Sequence, residues 1–409
     1  MPNVVFVAPF AMESTLRFVR AAVSLPGVRL AVVSQDAPDK LPRDLLQQLS
    51  GFQQLADAMS PDPLADAVRA LGRQLGSVDA LLSVLEPLQV PLAEVRERLG
   101  IAGMDRKTAV NFRDKARMKE LLAAHDLPCA RHRLCSSDAD ALAFARTVGF
   151  PLVGKPPAGA GAKTTARLGS EAELQTFLAQ AQPAAGRELL LEEFVQGREF
   201  SFDSFTLHGR HVFHSISDYH PTPLHVLENK WIQWCVVLPR AIDGPEYRAI
   251  TSLGPRALAV LGMHTGMSHM EWFQRPDGSI AIGEVGARPP GAQFMTLMSY
   301  AHDADMYRAW AQLMLFAGAP APARAFAAGA AYLRGQGEGR VVAIHGLDEV
   351  QRRVGALVVE ARLPQRGATP ADSYEGDGYV IVRHPETAVV ERALQMIVST
   401  LRVELGEVT

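Results

Sequence analysis

The chain has 409 residues, a formal net charge of −3, and 48% hydrophobic and 21% charged residues. That length exceeds one ordinary hydrophobic core and predicts two or three domains, while the composition is that of a globular protein folded throughout. The slightly acidic balance excludes a sequence-independent grip on nucleic acid, which needs a concentrated basic surface, and favours small-molecule partners.

Taken in chain order, the run Val4 to Phe10 is apolar, lacks a basic flank and is too short to span a bilayer, so it reads as a first strand. Strand-like runs Val4 to Ala8, Leu30 to Ser34 and Ala80 to Leu85 alternate with helical patterns such as Thr15 to Leu25 and Pro63 to Leu75. This is the signature of βαβ units and a parallel sheet. The first strand is followed by Pro9-Phe-Ala-Met-Glu-Ser14 rather than a Gly-x-Gly-x-x-Gly fingerprint, which removes most support for a dinucleotide dehydrogenase. Open α/β sheets bind ligands beyond the carboxyl ends of their strands, so Glu86, just past the third strand, is a candidate substrate contact. Three cysteines, Cys129, Cys135 and Cys235, lack zinc spacing and suit a reducing, cytoplasmic setting.

A helical pattern runs from Lys107 to His125, and Gly149 to Lys155 reads as a strand ending in a lysine. The next segment, Pro156 to Thr165, is rich in small residues whose amides could approach phosphates, although it lacks the Gly-Lys-Ser/Thr of a Walker A motif. Further strands are expected at Glu188 to Phe194, Glu199 to Leu207 and Arg210 to Ser217, and a helix at Glu246 to Leu261. Histidines 208, 211, 214, 220 and 225 crowd this stretch, but strand spacing scatters them over both faces without companion acids, which argues against structural zinc. The aromatic segment Ser217 to Trp234 suits either a loop bordering a specificity pocket or core packing by Trp231 and Trp234.

The segment Ser268 to Arg288 reads as a β-hairpin turning at Asp277-Gly278. Counting outward pairs Pro276 with Ser279 and therefore Glu271 with Glu284, and His269 with Gly286. Opposed carboxylates lie roughly 5 Å apart at Cβ and repel, a conflict that a divalent cation resolves by accepting hard oxygen ligands. Past Tyr300 a helix is expected to Phe316, then a Pro/Ala-rich connection. The remainder reads as a smaller α+β domain with strands at Ala328 to Arg334, Val358 to Arg362 and Gly378 to Arg383 and helices at Leu347 to Val354 and Glu386 to Val403.

The order of Asp114-Lys115, Pro151-Leu-Val-Gly-Lys155 before a glycine loop, Leu191-Glu-Glu-Phe-Val195, the glutamate hairpin and Glu284-x-Gly-x-Arg288 resembles the ATP-grasp superfamily. The C-terminal segment is similar to the last domain of its carboxylate-amine ligases, the group that includes L-amino acid ligases. The resemblance implies an α/β and α+β multidomain architecture: a Rossmann-like preATP-grasp domain over 1–105, an ATP-grasp domain over 106–316 with a lid at about 120–190, and a small C-terminal domain over 317–409. By the same resemblance Lys115 and Lys155 cover ATP phosphates, with Gly159 and Gly161 in the glycine loop. Glu192, Glu193, Phe194 and Val195 form the adenine hinge, and Glu199 holds the ribose. Glu271 and Glu284 bind Mg²⁺ or Mn²⁺. Arg288 and Lys155 are the catalytic groups, and His269, Arg288 and Gly291 line the substrate side.

The implied reaction joins a small-molecule carboxylate to an amine through an acyl phosphate, with ADP and phosphate released. A purine-biosynthetic ligase is the nearest alternative, and a silent nucleotide-binding regulatory relative is another, because Gly286 stands where the family pattern has an asparagine that supplies a metal ligand. Oligomeric state stays open, a homodimer included.

Overall fold

The computed structural model describes residues 1–158, 165–318 and 322–407. The parallel strands Asn3–Val7, Arg29–Ser34, Gly51–Gln54 and Ala80–Leu82 form the N-terminal sheet in the spatial order third, second, first, fourth. Alternation along the first strand explains its burial on both sides. Val4 and Phe6 pack with Leu16 and Phe18 of the helix Glu13–Val23, whereas Val5 and Val7 pack with Leu64 and Val68 of the helix Pro61–Leu75. The strand Gly51–Gln54 was not among those expected, because an edge strand reading Gly-Phe-Gln-Gln has no apolar run. The fourth strand stops at Leu82, short of the expected Leu85, and a 3₁₀ turn over Glu86–Leu88 follows.

The helical pattern over 107–125 divides at Asp114. Its carboxylate accepts from the amides of Ala116 and Arg117, ending one helix, Arg106–Arg113, and capping the next, Lys115–Ala124. A four-stranded unit follows, with His132–Cys135, Leu189–Glu193, Leu152–Lys155 and Ala166–Leu168 adjacent in that order. Helices Asp138–Val148 and Glu171–Ala181 close its own core around Leu152, Leu174, Leu178 and Leu191.

The largest sheet has eight antiparallel strands in the order Ile280–Gly286, Gly266–Gln274, Arg198–Leu207, Arg210–His220, Trp234–Leu238, Ala327–Leu333, Gly378–His384 and Val358–Arg362. Pairing of Trp234–Leu238 with Ala327–Leu333 makes the C-terminal strands a backbone continuation of the central sheet. Two helices, Phe294–His302 and Met306–Phe316, stand in place of the single one expected past Tyr300. The last helix ends at Thr400, not Val403, and Arg402–Gly406 becomes a strand. No described helix is long and apolar enough to cross a membrane.

The hairpin pairs Glu271 with Glu284 and His269 with Gly286 as counted, by a different route. Arg275 N–H donates to Ser279 O, so the loop is Pro276-Asp277-Gly278 and the expected Pro276–Ser279 pair does not form. Phe273 therefore faces Ala281 and Trp272 faces Ile282, one residue out of the counted register, until an extra residue at Gly283 restores it. The histidine reading also needs correcting. A bulge between His211 and Phe213 brings His211 and His214 within 3.1 Å, both stacked on Phe202.

Candidate active site

The site is built on one face of the large sheet. Register places Glu199, Ser201 and Asp203 beside Phe273, Glu271 and His269, and these beside Glu284 and Gly286 on the next strand. The intervening residues Phe200, Phe202, Met270 and Trp272 point the other way, into a core shared with Ile250 and Leu258 of the helix Arg248–Leu261. The strict alternation Glu-Phe-Ser-Phe-Asp over 199–203 is thus what separates a polar floor from an apolar underside.

Over that floor lies a cavity of about 620 Å³, bounded by the four-stranded unit, the N-terminal sheet and the C-terminal segment. Lys155 and Lys119 converge on Glu192, at 2.9 and 3.4 Å, and Lys119 also donates to the Gly283 carbonyl at 2.8 Å. Burial alone would discharge Glu192, but the two ammonium groups outweigh it and hold its carboxyl below the ordinary range. Burial pulls Lys119 below its usual range, whereas for Lys155 burial is outweighed by Glu192 and Glu284 and its range is raised. Lys115 meets Glu284 at 2.7 Å. A lysine ammonium thus already sits on one of the paired carboxylates.

At the other carboxylate, His269 Nε2 lies 3.6 Å from Glu271, while its Nδ1 is 2.6 Å from Asp203, a fully buried carboxylate that also accepts from Ser201 Oγ. Burial opposes a charge on His269; Asp203 overrides it and raises the imidazole to about 9. Burial also opposes ionisation of Glu271, but the His269 contact, Arg288 and Lys115 hold it below the ordinary range. Glu199 goes the other way, pushed well up by burial and by the neighbouring Glu271 charge. Arg288 donates twice to Glu86 Oε2, at 2.8 and 3.1 Å, and Arg113 binds Oε1 at 3.2 Å.

The cavity wall brings together Glu86, Lys115, Lys155, Glu192, Glu193, Phe194, Val195, Glu199, His269, Glu271, Glu284, Arg288 and Gly291. Gly159 and Gly161 lie outside the described residues. Within the hinge, the amides of Glu193 and Phe194 donate to Arg131 O and Pro151 O, the Glu193 carboxylate is held by Arg131 and Arg275, and Arg167 stacks on the Phe194 ring. Those groups are already engaged by protein. The sequence reading missed Lys119, although it lies one helical turn beyond Lys115 on the same helix face. It also missed Asp203, which the polar alternation from Glu199 could have revealed. Nothing local marks Tyr374 and Glu375, which reach the cavity from a C-terminal loop.

Carboxylates paired across a hairpin, two lysines on a third carboxylate of a neighbouring small sheet, and a cavity between the two units meet an independent finding: residues 120–302 match the ATP-grasp domain model. This part of the chain is an ATP-grasp domain. In sequence the chain is 29% identical over 178 residues to a D-alanine–D-alanine ligase of Stutzerimonas stutzeri strain A1501, covering 43% of this chain and 55% of that protein. It is 26% identical over 223 residues to an L-arginine-specific L-amino acid ligase of Bacillus subtilis, covering 53% of each. These matches span about half the length of the two relatives. In structure it is similar to an L-amino acid ligase from Bacillus licheniformis, with a TM-score of 0.79, 20% identity and coverage of 100% of this chain and 99% of that one. The fold likeness therefore extends beyond the ATP-grasp domain to both flanking segments.

Proposed function

We propose that the protein is an ATP-dependent carboxylate–amine ligase acting on amino acids or related small metabolites. The observation that carries this reading is the Glu271/Glu284 pair facing the same cavity as Lys115, Lys155 and Arg288. Two hard carboxylates at one register position fit a divalent cation such as Mg²⁺ or Mn²⁺, which takes one or two protein carboxylates together with substrate phosphates. When bound there, the cation would neutralise phosphate charge and align the transferring group.

The chain's own residues supply position and charge. Lys115 and Lys155 meet the nucleotide phosphates as point charges, and Arg288, on release from Glu86, holds the oxygens of the transferring phosphoryl group. A substrate carboxylate oxygen attacks the γ-phosphorus and the bond to the ADP oxygen breaks. The amine nitrogen then attacks the acyl carbon, phosphate leaves and the ammonium proton passes to solvent. No side-chain nucleophile is required, and exclusion of water by the 120–190 segment would protect the acyl phosphate. Free cysteines and ATP use favour a cytoplasmic setting.

Hydroxylamine supplied with ATP, Mg²⁺ and the carboxylate substrate is expected to trap the acyl group as a hydroxamate with ADP as co-product. Release of AMP in place of ADP would contradict the reading. Lys155→Ala is expected to weaken ATP binding at least tenfold in equilibrium titration; unaltered affinity would remove its phosphate role.

A further inference from the structure

Part of the wall of the same cavity is formed by residues that the nucleotide and metal assignments leave unused. That part is aromatic. Trp234 packs edge-on against Tyr219 at 5.4 Å and against Tyr374 at 4.9 Å, and Phe294 stands 5.8 Å from Tyr219 and 5.7 Å from His269. Tyr332 donates to the Ala292 carbonyl, which fixes the turn before Phe294. Tyr219 and Trp234, Phe294, and Tyr374 come from three separated parts of the chain, yet all border one space.

Charge is unevenly distributed around it. Glu86 is paired with Arg113 as well as with Arg288, so it keeps a cationic partner when Arg288 turns to a ligand. Glu375, next to Tyr374, also borders the cavity and carries no hydrogen bond or ion pair among the described residues. A carboxylate in that setting gains most from an incoming cation. One acidic group beside an aromatic wall, with an arginine bordering the same cavity, is a three-point frame.

Resting on the ligase reading above, we infer that the carboxylate substrate is an α-amino acid with a large apolar or aromatic side chain: its carboxylate faces Arg288, its ammonium meets Glu375, and its side chain lies against Trp234, Phe294 and Tyr374. A cationic side chain packed against Trp234, Phe294 and Tyr374 would lose the hydration of its charge. An anionic one would meet Glu375. Burial of an additional phenyl or isopropyl group against such a wall favours it over alanine by at least tenfold in kcat/KM.

The test is ADP release by the full chain with Mg²⁺–ATP and single amino acids, using alanine, leucine, methionine, phenylalanine, arginine and glutamate, with 3-phenylpropionate as the analogue lacking the ammonium. Phenylalanine, leucine and methionine are expected to exceed alanine, arginine and glutamate at least tenfold, and phenylalanine to exceed 3-phenylpropionate about a hundredfold. Tyr374→Ala should erase most of the advantage of phenylalanine over alanine, chiefly through KM, and Glu375→Gln should erase most of the advantage over 3-phenylpropionate. Displacement of a fluorescent ATP analogue serves as the folding control for both variants. Preference for arginine or glutamate, or an undiminished ammonium preference in Glu375→Gln, would overturn the inference and leave the ligase reading standing. Silence with every amino acid while ATP binds would overturn both.

Discussion

Lys119 shows how much one side chain can hold in this site. It is fully buried, and its ammonium joins Glu192 of the small sheet to the Gly283 carbonyl of the hairpin. Removing one partner of a buried ion pair leaves the other charge poorly compensated, and Lys119→Met is expected to destabilise the fold by about 3–5 kcal/mol in urea denaturation. A change below about 1 kcal/mol would mean that Lys155 alone compensates Glu192. Glu284, by contrast, is partly exposed to the cavity, and Glu284→Gln should abolish turnover with little change in melting temperature. Retained turnover would remove the metal assignment. His302 provides a pH signature away from the site. Its Nδ1 donates to Pro322 O, its buried Nε2 has no partner among the described residues, and burial lowers the imidazole to about 4. The folded state therefore resists a proton that the unfolded chain takes up near pH 6.5, so stability should fall as pH drops from about 6.5 to 4, by up to about 3 kcal/mol. His302→Gln should make that part of the profile shallower; an unchanged slope would assign the acid sensitivity to other groups such as His211, which burial also lowers to about 4.

At the level of elements, the hairpin depends on two irregularities that compensate. A three-residue loop alone would set Glu284 opposite Met270 on the apolar face, and the extra residue at Gly283 returns it to Glu271. A Cβ at Gly283 would stand 3.0 Å from the Phe273 ring and 3.2 Å from the Glu271 carbonyl. Gly283→Val is therefore expected to lose about 1–3 kcal/mol of stability, and a wild-type urea midpoint would show that the bulge tolerates a side chain. The same hairpin illustrates what could be read from sequence. Alternation along each strand marked Glu271, Glu284, His269 and Gly286 as one face, but their pairing came out as counted only because the longer loop and the extra residue at Gly283 cancel. Lys119 on Glu192 was not legible, since it depends on how a helix docks between two sheets, and Tyr374 and Glu375 reach the cavity only because the C-terminal strands extend the central sheet. The polar edge strand Gly51–Gln54 escaped because pairing, rather than hydrophobicity, makes it a strand.

Across the whole molecule, one polar network ties the three parts together. Arg17 of the first helix donates to Glu360 at 2.9 Å and to Thr296 at 2.9 Å, and Glu360 also accepts from Tyr379 at 2.7 Å and Tyr300 at 3.1 Å. Burial of Glu360 opposes its charge, but these donors hold its carboxyl below the ordinary range. Glu360→Gln is expected to lower stability by about 1–3 kcal/mol by weakening charge-assisted bonds shared among all three parts, measured by urea denaturation; an unaffected midpoint would mean the parts are held by apolar contact alone. Such coupling matters because the cavity has walls from each part. The central claim is that this shared cavity joins a carboxylate to an amine at the expense of ATP. It is tested most directly by incubating the protein with Mg²⁺–ATP and amino acids singly and in pairs, reading phosphate release and product mass together. The account predicts phosphate release accompanied by a product whose mass equals two substrates less one water; intact ATP binding with no such product across the panel would contradict it.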